Sequence, residues 1–314
     1  MLSYLVRRLA SALSSIFLAA VLVFAALLAI PGDPAEIILG LNASPEAAAA
    51  LRHQLGLDVP PVPRFISWIG GVVKGDFGDS LNYRRPVSQL LVGRLQVSVP
   101  LALAAMLIAC LIALPLGILA ALRQGSWLDP LIVSFAQIGA AIPSFWLGLM
   151  LILLFSVELG WLPAGGYTPW ERSPAGALRS LILPAIALGL GQAAVITRMT
   201  RASMLEVLRL DYVRTASAKG LPRRRVILVH TLRNALVTIV TIIGLSMAQL
   251  LVGAIVIEQV FSLPGLGRLA LTAIGARDYP LLQAEVLLYA TAIVGLSFMV
   301  DVLYGLLDPR IRYS

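Results

Sequence analysis

Charge is scarce in this chain. Only 13% of its 314 residues are Asp, Glu, Lys or Arg, against roughly 25% in soluble domains. With 59% hydrophobic residues, it has far more apolar surface than one soluble core could hide. Cysteine occurs once, as Cys110 inside an apolar run, which excludes an intrachain disulfide and suits a small core residue. Histidine occurs twice, at His53 and His230, and the topology derived below puts the two on opposite sides of a membrane, where they cannot share a metal ion. Nowhere does Gly precede Lys, so the chain has no GxxxxGK[ST] phosphate loop and no motor of its own. Lysine is nearly missing, and arginine supplies almost all of the charge behind the net of +8. In a soluble protein that excess would suggest nucleic acid. Here it flanks apolar runs, so orientation in a bilayer and contact with anionic lipid are the better readings.

A bilayer-spanning helix takes about 20 apolar residues. Six runs qualify: Leu9–Ile30, Ser98–Leu122, Leu131–Val157, Leu181–Thr197, Asn234–Ile257 and Val286–Leu307. The fourth is the shortest and carries Pro184, Gly189 and Gly191; Pro115 and Pro143 permit kinks in the second and third. With the N-terminus inside, 14 of the 24 Lys and Arg residues fall in the cytoplasmic segments, which are together about half as long as the outside ones. The expectation is an all-α integral membrane protein with six spanning helices and both termini in the cytoplasm. The first run is too long for the roughly 7–15-residue core of a cleaved signal, and it ends in Pro31-Gly32-Asp33-Pro34 instead of an Ala-x-Ala site. Three regions follow: residues 1–97 with the first span and a large external segment, a five-helix core at 98–307 with a cytoplasmic loop at 198–233, and a tail at 308–314. In the external segment, Ser44-Pro45-Glu46 predicts a capped short helix closed by Gly56, and Phe65-Ile66-Ser67-Trp68-Ile69 predicts an interfacial segment.

Reactive side chains inside the spans are few. Asp301 is the one acid expected well inside a span, and its preferred reading is a structural ion pair with Arg198 or Arg201 at the inner end of the fourth span. Neither histidine lies in a span and no aspartate pair does, which argues against an intramembrane protease. A self-sufficient secondary carrier or channel is the alternative from another class, and the missing midplane acids speak against it. On the fifth span Asn234, Thr238, Thr241 and Gln249 share one face. Such a stripe lines a wet pathway or glues helices together, and the sequence leaves both open.

The most informative stretch runs from Asp211 to Asn234, a basic island between two apolar spans. Gly220-Leu221-Pro222 is a helix stop, so a short surface helix is expected before it, with Ala216 and Ala218 on a face that a partner could approach. Arg214-Thr215-Ala216-Ser217-Ala218-Lys219-Gly220 resembles the cytoplasmic "EAA" loop of ATP-binding-cassette importer permeases. The general Glu-Ala-Ala-x-x-x-Gly pattern is broken at its first two positions. The Arg-Thr-Ala-x-Ala-Lys-Gly form of the peptide-importer branch is matched in full. Gly75-Asp76-Phe77-Gly78 with Ser80, Val260-Phe261-Ser262 followed by Pro264-Gly265-Leu266-Gly267, Arg277-Asp278-Tyr279-Pro280, and Leu307-Asp308-Pro309-Arg310-Ile311-Arg312 are similar to that branch too. The resemblance implies a type I importer permease fold in a bacterial inner membrane. It implies three kinds of partner besides the lipid bilayer: a second related permease, two ATPase subunits that would hold ATP and Mg, and an external substrate-binding protein. No cofactor, metal or catalytic residue would belong to this chain. Tyr212, Arg214, Thr215, Ala216, Ala218, Lys219, Gly220 and Leu221 would form the helix that couples to the ATPases. Cargo in this branch covers short peptides, glutathione and nickel chelates; Phe155-Ser156-Val157-Glu158-Leu159-Gly160-Trp161-Leu162-Pro163 looks like the permeases for short peptides and glutathione.

Overall fold

The structure is a computed structural model that describes residues 2–29, 44–54 and 56–307. The Pro31–Pro34 motif, the Asp308–Arg312 motif and the 308–314 tail lie outside the described residues. Helices dominate: α1 (Leu2–Leu28), α2 (Pro45–Gln54), α3 (Pro61–Val73), α4 (Val87–Leu122), α5 (Leu128–Ala141), α6 (Ser144–Leu151), α7 (Pro174–Leu208), α8 (Asp211–Ala218), α9 (Arg233–Val260), α10 (Leu266–Ala276) and α11 (Tyr279–Leu307). A wide π-helical stretch, Ile152–Glu158, extends α6, and a second, Val226–Leu232, leads into α9 from the single turn Arg223–Arg225.

Five segments are long and apolar enough to cross a bilayer: α1, α4, α7, α9 with its lead-in, and α11. The expected third span is a broken one. Its halves, α5 and the α6 segment, meet at 94°, and the six-span count holds only when that pair is taken as one. The cause is local. Ile142 precedes Pro143 and is extended at φ −77°, ψ 122°, because a residue before proline is driven out of the α region. Pro115, by contrast, sits within the continuous α4. The apolar runs also mark only the middles of the helices. α4 starts at Val87 and not Ser98, α7 at Pro174 and not Leu181, α11 at Tyr279 and not Val286, since helical hydrogen bonding does not stop where the lipid does. Glu285 therefore lies inside α11 and is fully buried, so Asp301 is not the sole acid within a span.

The core is the seam between α4 and α7. On α4, Leu101, Ala105, Ala109, Ala113, Gly117 and Ala121 recur every fourth residue, all buried. On α7, Ala177, Leu181, Ala185, Gly189, Ala193 and Thr197 do the same. Residues four apart share a helix face, so two smooth strips meet and the backbones come close. A Cβ on Gly117 would lie 2.7 Å from the Thr197 carbonyl oxygen, and one on Gly189 would lie 2.6 Å from that of Ala105.

At one end of the seam, called here the loop end, α8 closes over Ala121, Met204, Val207 and Ala235. At the far end, Val87 and Leu91 of α4 pack with Leu266, Leu269 and Ala273 of α10 and with Leu281 of α11. α1 lies outside this core along α11, tied by an Arg8–Asp301 ion pair of 3.3 Å. Phe17 and Phe24 of α1 stack with Phe65 and Trp68 of α3. α3 buries none of its residues and leaves Val62 and Ile66 exposed. α2 carries its expected caps: Ser44 Oγ accepts from Ala47 N at 3.2 Å, and Leu57 N closes onto Arg52 O beyond Gly56 at φ +62°.

The seam makes a direct prediction. Gly117→Val should cost about 1–3 kcal/mol through overpacking, read as a lower unfolding temperature in detergent. Gly191→Ala, where nothing lies within 4 Å of the new carbon, should not lower that temperature.

Candidate functional site

The loop end carries the basic island that follows α7. α7 ends at Leu208, and Leu210 turns the chain into α8, with Asp211 in the first turn where the helix dipole favours an acid. Three features close it. Gly220 N donates to Ser217 O at 3.0 Å, Leu221 N donates to Ala216 O at 3.4 Å, and Gly220 takes φ +77°. That is the paired hydrogen-bonding of a Schellman cap, which needs a left-handed residue at that position. Pro222 then prevents continuation.

The helix has two distinct faces. Val213 and Ala216 are buried in the chain's own cluster with Met204, Val207 and Val226. Tyr212, Arg214, Thr215, Ala218, Lys219 and Gly220 are exposed, and Leu221 is half-buried. This corrects one expectation: Ala216 is not on the approachable face but anchors α8 to its own bundle. The reason is periodicity, since Ala216 lies three residues from Val213 on the apolar side while Ala218 lies on the other. Tyr212 is fixed by a hydrogen bond from its hydroxyl to His230 O at 3.1 Å, and partial burial pushes the phenol's pKa up. Beside the helix, Arg223, Arg224 and Arg225 are all exposed.

The remaining expected residues separate. Asp301 pairs with Arg8, not with Arg198 or Arg201. Arg201 instead forms a two-pronged pair with Asp129 of α5, at 2.5 Å from Nε and 2.7 Å from Nη2, and Arg198 donates to Gln137 at 3.0 Å. The expected pairing failed because the break at Pro143 lays α5 along α7, putting Asp129 and Gln137 within reach of the arginines. Of the polar stripe on α9, Asn234 donates to His230 O at 2.7 Å and Thr241 to Val237 O at 3.0 Å, both within the same helical stretch. Thr238 and Gln249 are exposed on a face shared with Leu245, Val252 and Val256, and Gln249 accepts from Gln192 at 3.4 Å.

The far end holds two buried acids, one of them inside the Arg277–Pro280 motif and the other, Glu258, not singled out in the sequence. Glu258, fully buried at the end of α9, accepts from Ser98 Oγ at 2.5 Å and from Arg268 N at 3.2 Å, while Leu266 N donates to Ser98 Oγ at 2.8 Å. The carboxylate thus serves the N–H groups that open α10. Only glycine fits at 265, where a Cβ would overlap the Glu258 carboxylate. Asp278, also fully buried, accepts from Ser80 Oγ at 2.5 Å, Asn82 N at 3.1 Å and Leu281 N at 3.3 Å. The motifs around Ser80, Pro264 and Asp278 are therefore one assembly. The signal for it was present in an acid set beside Gly-rich or Pro-containing turns. Among the described residues no group of three or more His, Cys, Asp or Glu could hold a metal ion.

A bundle of apolar spans with a short capped helix and an arginine-rich turn at one end suits a transport permease. Residues 113–313 match the family described as "Binding-protein-dependent transport system inner membrane component", and residues 1–102 match its N-terminal counterpart. The chain belongs to this family and is a multi-pass inner-membrane permease subunit of an ATP-binding-cassette import system. Over the whole of both chains it is 44% identical to a Brucella abortus (strain 2308) protein provisionally named as a peptide transport system permease. It is 42% identical, again over all of both chains, to the di/tripeptide transport system permease DppB of Pseudomonas aeruginosa (strain UCBPP-PA14) and to the glutathione transport system permease GsiC of Escherichia coli (strain K12). Among solved structures, the inward-facing MetNI methionine ABC transporter aligns with a TM-score of 0.59 at 18% identity, covering 70% of this chain and 97% of that one. That likeness establishes the fold.

The two faces of α8 predict opposite outcomes for neighbouring alanines. Ala216→Glu places an unpaired charge in an apolar cluster, at a cost of about 3–5 kcal/mol, and should lower thermal stability and expose the loop to protease. Ala218→Glu should leave both unchanged. Gly220→Val should fall between them, at about 1–2 kcal/mol for forcing a β-branched residue left-handed.

Proposed function

We propose that this chain is one of two related permease subunits of an importer for short peptides, forming half of the translocation pathway. An external binding protein delivers the cargo and two ATPase subunits, which bind ATP and Mg, drive the cycle; this chain binds no cofactor of its own. The observation that carries the reading is α8. It is a capped, internally anchored helix whose outer face presents Arg214, Thr215, Ala218 and Lys219 at the end of the two most tightly packed helices. Whole-length similarity to peptide and glutathione permeases supports the substrate class. Glutathione is itself a short peptide, and the relatives match equally well, so it stands as the second cargo of the same reading; a nickel chelate is the third.

The coupling step is mechanical. Closure of the ATPases pushes α8, and Val213 and Ala216 pass that displacement to α4, α7 and α9. The exposed α9 face with Asn234, Thr238 and Gln249 lines the pathway opposite the second permease. An uncharged, sparsely polar wall suits cargo with varied side chains.

For orientation, we place the loop end in the cytoplasm. The Arg-rich turn supports this by the positive-inside rule. α11 starts at the far end and α1 runs alongside it with Arg8 beside Asp301, which supports both termini on the cytoplasmic side.

Two experiments check this. Cysteines replacing Asn82 and Arg224, both exposed, should react with an impermeant thiol reagent from opposite sides of intact cells. Same-side labelling would remove the orientation. In the assembled importer, Ala218→Glu should insert normally yet lose ATPase copurification or leave hydrolysis uncoupled from uptake, with peptide accumulation down about tenfold or more for a charge buried in the docking contact. Wild-type uptake by that variant would show that α8 is not the coupling element.

A further inference from the structure

A cleft of about 230 Å³ opens at the far end, between the turn that holds Tyr83, the first turns of α4 and the start of α10. Two guanidinium groups, Arg94 and Arg268, line it together with Tyr83 and Thr272. Neither arginine forms an ion pair among the described residues. Each spends one nitrogen on the frame: Arg94 Nη1 donates to Pro264 O at 3.2 Å, and Arg268 Nη1 donates to Ser262 O at 3.1 Å. A guanidinium carries five N–H donors, so most of this donor capacity is left for a ligand.

The frame is built to stay in place. Glu258 and Ser98 fix the backbone from Leu266 to Arg268, and Gly265 lies tight against the Glu258 carboxylate. The acids around the cleft, Glu258, Asp278 and Glu285, are fully buried and line none of it. Glu258 is engaged through both oxygens. Arg94 faces the charge of Glu258 and Glu285 from inside, so the opening is donor-rich and its exposed positive charge is that of Arg268, a match for a planar anion that takes two-pronged hydrogen bonds from arginine. The volume suits the end of one residue and is below the roughly 300 Å³ at which sites for larger ligands begin.

We propose that this cleft receives the C-terminal carboxylate of the peptide cargo as it leaves the binding protein. The inference rests on the peptide reading above. A carboxylate terminus is the group that all unmodified short peptides share, so recognition through it places no demand on their side chains.

The test uses the complete importer in nanodiscs with the binding protein omitted, so that only the permease can contact free peptide. Saturation-transfer NMR with dialanine should show contact to the wild type. Contact should fall about tenfold in Arg268→Gln, the loss of about 1.4 kcal/mol from one charged partner, and recover in part in Arg268→Lys. Dialanine amide should give no contact to any of them. The unfolding temperature of Arg268→Gln should match wild type, which a purely structural arginine would not allow. Equal signals for dialanine and its amide, or for wild type and Arg268→Gln, would overturn the site even if dialanine is imported. If Arg268→Gln weakens docking of the unloaded binding protein and leaves dialanine contact intact, the cleft takes an acid of that protein and the cargo assignment falls. A wild-type importer that accumulates no short peptide in proteoliposomes sinks the peptide reading and this assignment together.

Discussion

Helices α4 and α7 approach so closely that one added carbon at Gly117 or Gly189 would overlap a backbone carbonyl of the other helix. In lipid there is no hydrophobic gain in bringing two apolar helices together, because the tails are as apolar as the side chains. Close packing has to come from shape, and small residues supply it. The fourfold repeat of Ala and Gly on α4 and its counterpart on α7 give a long, smooth contact. Everything else is hung from that seam. α8 rests on its loop end through Ala121, Met204 and Val207, and α10 with the start of α11 rests on its far end through Val87 and Leu91. A stiff pair of helices with a separate attachment at each end carries a displacement from one end to the other where a loose bundle would absorb it.

The attachments are made with different chemistry. At the loop end α8 is held by apolar contacts, a glycine cap and the hydrogen bond from Tyr212 to His230 O. At the far end buried carboxylates do the holding: Glu258 receives N–H groups at the start of α10, and Asp278 binds the first turn of α11 and the Ser80 turn. Helix starts leave unpaired N–H groups that cannot be left dry, and an acid beside them satisfies both the hydrogen bonds and the dipole. The Asp129–Arg201 pair does comparable work for the broken span, fixing α5 against α7 where backbone continuity is lost at Pro143.

Much of this was legible in the sequence because it is local. Apolar runs of bilayer length, the Ser44 cap and the Gly220 stop each depend on residues close together in the chain, and each is present. What could not be read depends on which helices become neighbours. The partner of Asp301 is on α1, more than two hundred positions away in the chain. Arg201 found Asp129 only because the third span folds back by 94°. A proline after an extended residue announces a break but not its angle. Ala216 was readable as small and helical and shares a face with Val213, but that this face docks on the bundle depends on the cluster beneath α8. Glu258 and Glu285 were assigned to loops because apolarity was used to end the helices, and helices continue past the last apolar residue.

The distribution of specificity follows from the same layout. The parts of the chain tied down by buried hydrogen bonds are backbone: helix starts, turns and a glycine pressed against a carboxylate. They fix positions in space and read nothing about a cargo's side chains. The α9 face assigned to the pathway carries uncharged polar groups, two of which, Asn234 and Thr241, donate to backbone carbonyls of their own helical stretch. Such a wall offers no charged or rigid cradle that would favour one side chain over another. On the proposed reading, discrimination has to come from elsewhere in the assembly, and this chain can change cargo without changing its scaffold. Permeases named for di- and tripeptides and for glutathione, each equally similar to this one along its full length, are what that arrangement permits.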